Sequence, residues 1–227
     1  MDPYVDPDTG VLRNKLGVTD KVALADAEGD LSGWRALQLA ERTWPVSGDL
    51  DELRRIHGSL FQDVYTWAGQ VRTVDMRKNV DGAAVFLPWA VIPTATSFLA
   101  QRLGEDNRLR GRDRAGFVDG LTDYYEELNY IHPFREGNGR TQRLFWSRVA
   151  DDAGWLLDWS AVSGAENDHA CRLANDEGDK DQLRELMQRI TRPRQTERLG
   201  DAADAEWHHI IGMGFDFAPD ITGLDLT

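Results

Sequence analysis

Apolar residues recur at spacings of three and four through most of the first 190 positions, and this rhythm predicts a mainly α chain. Trp34, Leu37, Leu39, Ala40 and Trp44 predict a helix over 31–44 that Pro45 ends. Asp49 stands where it can cap a second helix, with Leu53, Ile56, Leu60, Phe61 and Val64 inward and Tyr65, Trp67 and Gly69 closing it. The rhythm breaks over 71–87. Val71, Thr73, Val74, Val85 and Phe86 favour strands, and 79–82 supplies turn chemistry, so a short β-hairpin is expected there. A helix follows over 93–103. Phe117, Leu121, Tyr124, Tyr125, Leu128 and Ile131 then predict a long one that Pro133 stops. Phe134 reads as a buried anchor, and the next helix starts at Asn138 and Gly139 with Leu144, Phe145 and Val149 facing the core. Segments 155–159 and 165–173 read as further helical core, and 181–190 as the last clear helix.

Composition divides the chain unevenly. Between Glu197 and Thr227 there are seven acids and one base, so 195–227 reads as an acidic C-terminal appendage to a domain over 1–194. The 227 residues, 41% of them hydrophobic, suffice for a substantial core. A formal charge of -13 disfavours nucleic acid and anionic membranes as partners, because both recruit proteins through lysine and arginine. Against that background Arg135, Arg140, Arg143 and Arg148 reverse the sign locally, which suits a small polyphosphate. Cys171 is the only cysteine, so intrachain disulfides and thiolate metal sites are out, and a reducing cytoplasm is compatible. The first ten residues lack the basic and apolar regions of a signal peptide, and the apolar run 83–93 is too short to span a bilayer. The chain therefore reads as cytoplasmic. Export by a dedicated secretion system reading the C-terminus stays open, since it would leave no such mark.

The chemistry concentrates at 132–143, HPFREGNGRTQR. Glycines let backbone N–H groups approach an anion, the residues after them open a helix whose positive end attracts phosphate, and Arg140 and Arg143 are one turn apart. His132 can take a proton and Glu136 can hold a hard cation. A lone histidine or glycine pair here would be ordinary turn packing; the joint pattern is harder to explain that way.

His132, Phe134, Glu136, Gly137, Asn138, Gly139, Arg140 and Arg143 fill the signature HxFx(D/E)GNGRxxR, and through them the chain resembles the Fic (filamentation induced by cyclic AMP) family. The likeness extends over about 4–190, with 57–78 similar to the family's entry segment and flap, and 157–170 to the region closing its nucleotide pocket. The resemblance implies a helical bundle with a central helix-loop-helix active site and a β-hairpin flap over about 71–87 that receives the target segment. It implies AMP transfer from ATP to a Ser, Thr or Tyr hydroxyl of a target protein, with His132 as general base and Glu136 holding Mg2+. Gly137, Asn138, Gly139, Arg140 and Arg143 would bind the phosphates, with the Asn138 side chain on one of them. Arg135, Thr141, Asn129 and the flap-tip residues Lys78 and Asn79 are candidate further nucleotide contacts. For Arg135, Thr141 and Asn129, a solvated arginine, a capping threonine and a helix-end asparagine are equally good readings. The Gly139-Arg140 pair, which the kinase-like Doc branch lacks, favours AMP transfer over phosphotransfer; a nucleotide-binding module without turnover is the other alternative. Relatives are often restrained by (S/T)xxxE(G/N). Here Glu28-Gly29, Glu166-Asn167 and Glu177-Gly178 all lack the Ser or Thr, so a separate antitoxin-like protein with a glutamate for Arg143 is the expected regulator.

Overall fold

The computed structural model describes residues 2–77 and 85–194. Among these, the helices in chain order are α1 Lys21–Ala40, α2 Leu50–Phe61, α3 Ile92–Glu105, α4 Arg114–Ile131, α5 Asn138–Asp152, α6 Gly164–Glu177 and α7 Asp181–Ile190. Local chemistry sets their starts. Asp20, Asp49 and Asp113 accept from the third backbone N–H of α1, α2 and α4, and Ser163 with Glu166 forms a capping box on α6. Pro93 sits in the first turn of α3, where a missing N–H is harmless. Gly178 ends α6 in the left-handed conformation.

The core lies along α4 and α5. Phe117, Leu121, Tyr125 and Leu128 of α4 and Phe145, Trp146 and Val149 of α5 share one hydrophobic cluster, all essentially buried. Each such side chain contributes roughly 1.5–3 kcal/mol on burial, so the loop joining these helices hangs between two well-buried elements.

Two expectations change, and a third is seen in part. The first helix begins at Lys21 rather than near 31 and ends at Ala40, and Trp34, expected inward, is 57% exposed. Its buried row is Leu24, Glu28, Ser32, Ala36 and Leu39, and two polar members of that row hid it from an apolar search. Second, Trp155–Leu157 is a strand, β1, paired antiparallel with β2, Thr191–Pro193. A three-residue apolar run carries no periodicity, and only the partner after α7 decides its form. Third, the hairpin is seen at its base: Arg77 bridges Val85 antiparallel and the Phe86 N–H donates to the Met76 carbonyl over 3.0 Å. Lys78, Asn79 and the appendage 195–227 lie outside the described residues. Among the described residues no helix is long and apolar enough to cross a membrane.

Candidate active site

The loop after α4 is clamped from several sides. His132 ends α4 in the left-handed region (φ 47, ψ 65), uncommon for a residue with a side chain. Its N–H donates to Leu128 (3.1 Å), and its carbonyl accepts from Arg72 Nε (2.7 Å). Phe134 is fully buried as expected, stacked 4.0 Å from the His57 imidazole. Asn138 closes the loop, its Oδ1 accepting from the Phe134 N–H and its Nδ2 donating to the Phe134 carbonyl, both over 2.8 Å. The Asn138 amide, expected on a phosphate, makes both of these bonds within the loop. Gly137 precedes α5 at φ +76, where a Cβ would lie 2.2 Å from the Phe61 ring, so glycine is required twice over. Gly137 offers no side chain to cap α5, and Gly139 lies in the first turn.

Around this loop the charged groups separate into distinct environments. The His132 ring stacks on Phe86 with centroids 3.8 Å apart, and Nδ1 lies 3.3 Å from the Asn129 carbonyl. With the proton on Nδ1, donated to that carbonyl, Nε2 carries the lone pair a base needs. Glu136 is 2% exposed; its Oε1 accepts from the Gly137 N–H (2.9 Å) and lies 3.6 Å from Arg140 Nη2. Arg140 reaches across to α1. It pairs with buried Glu28, donates Nη1 to Ser32 Oγ (3.0 Å) and sits 4.7 Å over the Phe61 ring. Arg143 lies 5.8 Å over Trp159, and its buried Nε has no hydrogen-bond partner among the described residues. A buried donor left so is what an absent anion would satisfy.

The other candidates divide. Asn129 Oδ1 accepts from Gln142 Nε2 (3.3 Å), placing Asn129 between the base and α5. Thr141 is 1% exposed with its hydroxyl unpartnered among the described residues, and it is not a cap. Arg135 pairs with Asp2 of the N-terminal arm (2.9 Å) and Arg148 with Glu52 (2.7 Å) above Trp44. The cluster of four arginines is therefore dispersed: Asp2 takes Arg135, which lies in the loop before α5, and Glu52 takes Arg148 on α5.

Four contributors were not legible as site residues. Glu28 had shown only as a near miss to a regulatory motif, and it meets Arg140 rather than Arg143. Tyr65 donates its hydroxyl to Glu28, and burial followed by the carboxylate charge pushes its own ionisation far upward, so it stays a donor. His57, fully buried, joins Glu136 to the turn at Gly69. Its Nε2 lies 2.9 Å from the Glu136 carbonyl, and Nδ1 accepts from the Gly69 N–H (2.7 Å). Burial lowers its pKa to about 3, so it is neutral with the proton on Nε2. Arg72 is 1% exposed and bonds the loop and the flap roots. The sole hint was a cation inside a strand-like stretch.

Known proteins resemble this chain over most of its length. The Fic/DOC family model matches residues 47–150. Protein adenylyltransferase VbhT of Bartonella schoenbuchensis is 37% identical over 188 residues, which make up 83% of this chain and 38% of that protein. The probable protein adenylyltransferase Fic of Salmonella typhimurium is 36% identical over 197 residues, 86% of this chain and 96% of that protein. The crystal structure of BepC, a VirB-translocated effector of Bartonella tribocorum with bound AMPPNP, matches with a TM-score of 0.81 at 27% identity, covering 85% of this chain and 97% of that one. With its glycine turn locked against α2, His132 at the end of α4 and a relative 36% identical over 96% of that relative's length, this chain belongs to the Fic/DOC family.

Proposed function

We propose that the chain is a protein adenylyltransferase that moves AMP from ATP to a Ser, Thr or Tyr hydroxyl of a target protein and releases pyrophosphate. The observation that carries this reading is the joint placement of His132 at the end of α4 and the Gly137 turn at the start of α5. A proton acceptor and an anion-binding helix terminus then meet across five residues. In support, VbhT is named a protein adenylyltransferase and BepC was crystallised with AMPPNP.

In this mechanism His132 Nε2 removes the hydroxyl proton as oxygen attacks the α-phosphorus, and the P–O bond to pyrophosphate breaks. Such a base is worth about 10^2 to 10^4 in rate. The dipole of α5, Arg140 and the orphaned Nε of Arg143 stabilise the departing charge. Among the described residues no group of three His, Cys, Asp or Glu could hold a metal by itself. Glu136 alone still fits Mg2+, which is commonly bound through one or two carboxylates plus substrate phosphates. Bound there, Mg2+ would neutralise phosphate charge as the bond breaks. The same reading places the protein in the cytoplasm, or in another cell after dedicated export, under a separate antitoxin-like partner whose carboxylate meets Arg143.

ATP labelled separately at the α- and γ-phosphorus, incubated with the chain and a cell lysate, tests the reaction. Label from the α-position on protein is expected, and His132→Ala should lose it by at least about 10^2 while retaining ATP affinity. Label from the γ-position alone would instead make the chain a phosphotransferase.

A further inference from the structure

Arg72 is a buried cation whose guanidinium is satisfied by backbone. It donates Nε to the His132 carbonyl (2.7 Å), Nη1 to Val74 (2.6 Å) and Nη2 to Leu87 (2.5 Å) and Ile131 (3.2 Å). Its own N–H donates to Pro133 over 2.9 Å. Those carbonyls come from the entry of the flap, its exit and the end of α4. A second link runs in parallel. Phe86, on the exit side, stacks on the His132 imidazole at 3.8 Å and 12°, while its N–H holds Met76 on the entry side (3.0 Å).

We infer that Arg72 and Phe86 are positioning residues that lock the flap roots to the base, so that the edge offered to the target and the nitrogen activating its hydroxyl keep one fixed relation. The inference rests on the AMP-transfer reading and goes beyond it, since neither residue belongs to the signature loop. The geometry explains the choice of arginine. The left-handed backbone at His132 needs its carbonyl held, and only a planar fork with five donors can hold that carbonyl and both flap roots together. Burial lowers the Arg72 pKa to about 10, which leaves it charged at neutral pH, and charged donors make the stronger hydrogen bonds. Lysine, with a single point of attachment, would keep a charge and lose the fork.

The test uses the full chain with Arg72→Lys and Phe86→Leu, α-labelled ATP with a cell lysate as acceptor, and amide hydrogen exchange. Transfer at saturating ATP should fall at least ~30-fold for Arg72→Lys and ~10-fold for Phe86→Leu, with the KM for ATP within about threefold, because the phosphate-binding arginines are untouched. The Leu87 amide, which donates to Tyr130 over 3.1 Å, should exchange at least ~10-fold faster in Arg72→Lys while α7 is unchanged. An unchanged rate, a KM that rises as far as the rate falls, or exchange accelerated evenly along the chain would overturn the inference. If the wild-type chain labels no protein, the AMP-transfer reading has failed by itself, and localised against uniform exchange still decides the coupling. If Arg72→Lys does not fold, the rate and KM of Phe86→Leu decide it.

Discussion

His57 shows how one buried side chain can tie a site to solution conditions. Its neutral ring holds the Glu136 carbonyl and the Gly69 N–H at once, and burial sets its folded pKa at about 3. The unfolded chain takes up that proton near pH 6.5. Stability from this group is therefore complete above pH 6.5 and falls by about 1.4 kcal/mol per unit as pH drops toward the folded pKa. His57→Gln removes the titration, so urea unfolding from pH 7 to 4.5 should show a flatter decline than in wild type. Parallel curves would mean that the ring is not buried neutral. In the sequence His57 shows only as the start of the family-like segment 57–78, because its partner lies 79 positions away.

At the scale of elements, α2 and α5 build the Gly137 turn between them. Gly137 approaches the Phe61 ring so closely that Gly137→Ala places a Cβ inside it, in a backbone conformation that alanine resists. This variant is expected to lose affinity for a nonhydrolysable ATP analogue by at least about 10-fold and to melt several degrees lower, read by calorimetry. Wild-type affinity would show that the turn is not pinned there. The helices themselves were legible where apolar spacing and caps agreed: α7, the Asp49 cap and the stop at Pro133 all stand as the sequence suggests. Two elements were not. The inner row of α1 is partly polar because Glu28 and Ser32 face Arg140, and β1 needs β2 to exist.

Across the whole molecule, charges brought together by the fold set the potential around Arg140, part of the proposed phosphate site. Glu28 and Arg140 are 112 positions apart, both largely buried, and Glu136 lies 3.6 Å from the same Arg140 Nη2 that pairs with Glu28. Glu28→Gln keeps the shape of this contact, with the Tyr65 hydroxyl turning from donor to acceptor, while removing a negative charge beside a polyanion. Affinity for the ATP analogue should then rise roughly 3- to 10-fold, measured by isothermal titration. A weaker affinity would mean that the carboxylate matters chiefly for aiming Arg140.

The sequence by itself determined the helical class, the position of His132 at the end of a helix, the glycine turn and the one-turn spacing of Arg140 and Arg143, because these features are local. Caps, periodic faces and a twelve-residue signature act within a few turns of chain. Tertiary structure decided which charges remain for a ligand: it sent Arg135 to Asp2 and Arg148 to Glu52, set Glu28 on Arg140, and left the Arg143 Nε without a partner among the described residues. It also brought Arg72 to both flap roots and the base. Such pairings join residues tens of positions apart, and burial, which makes each of them matter, exists only once the helices have packed.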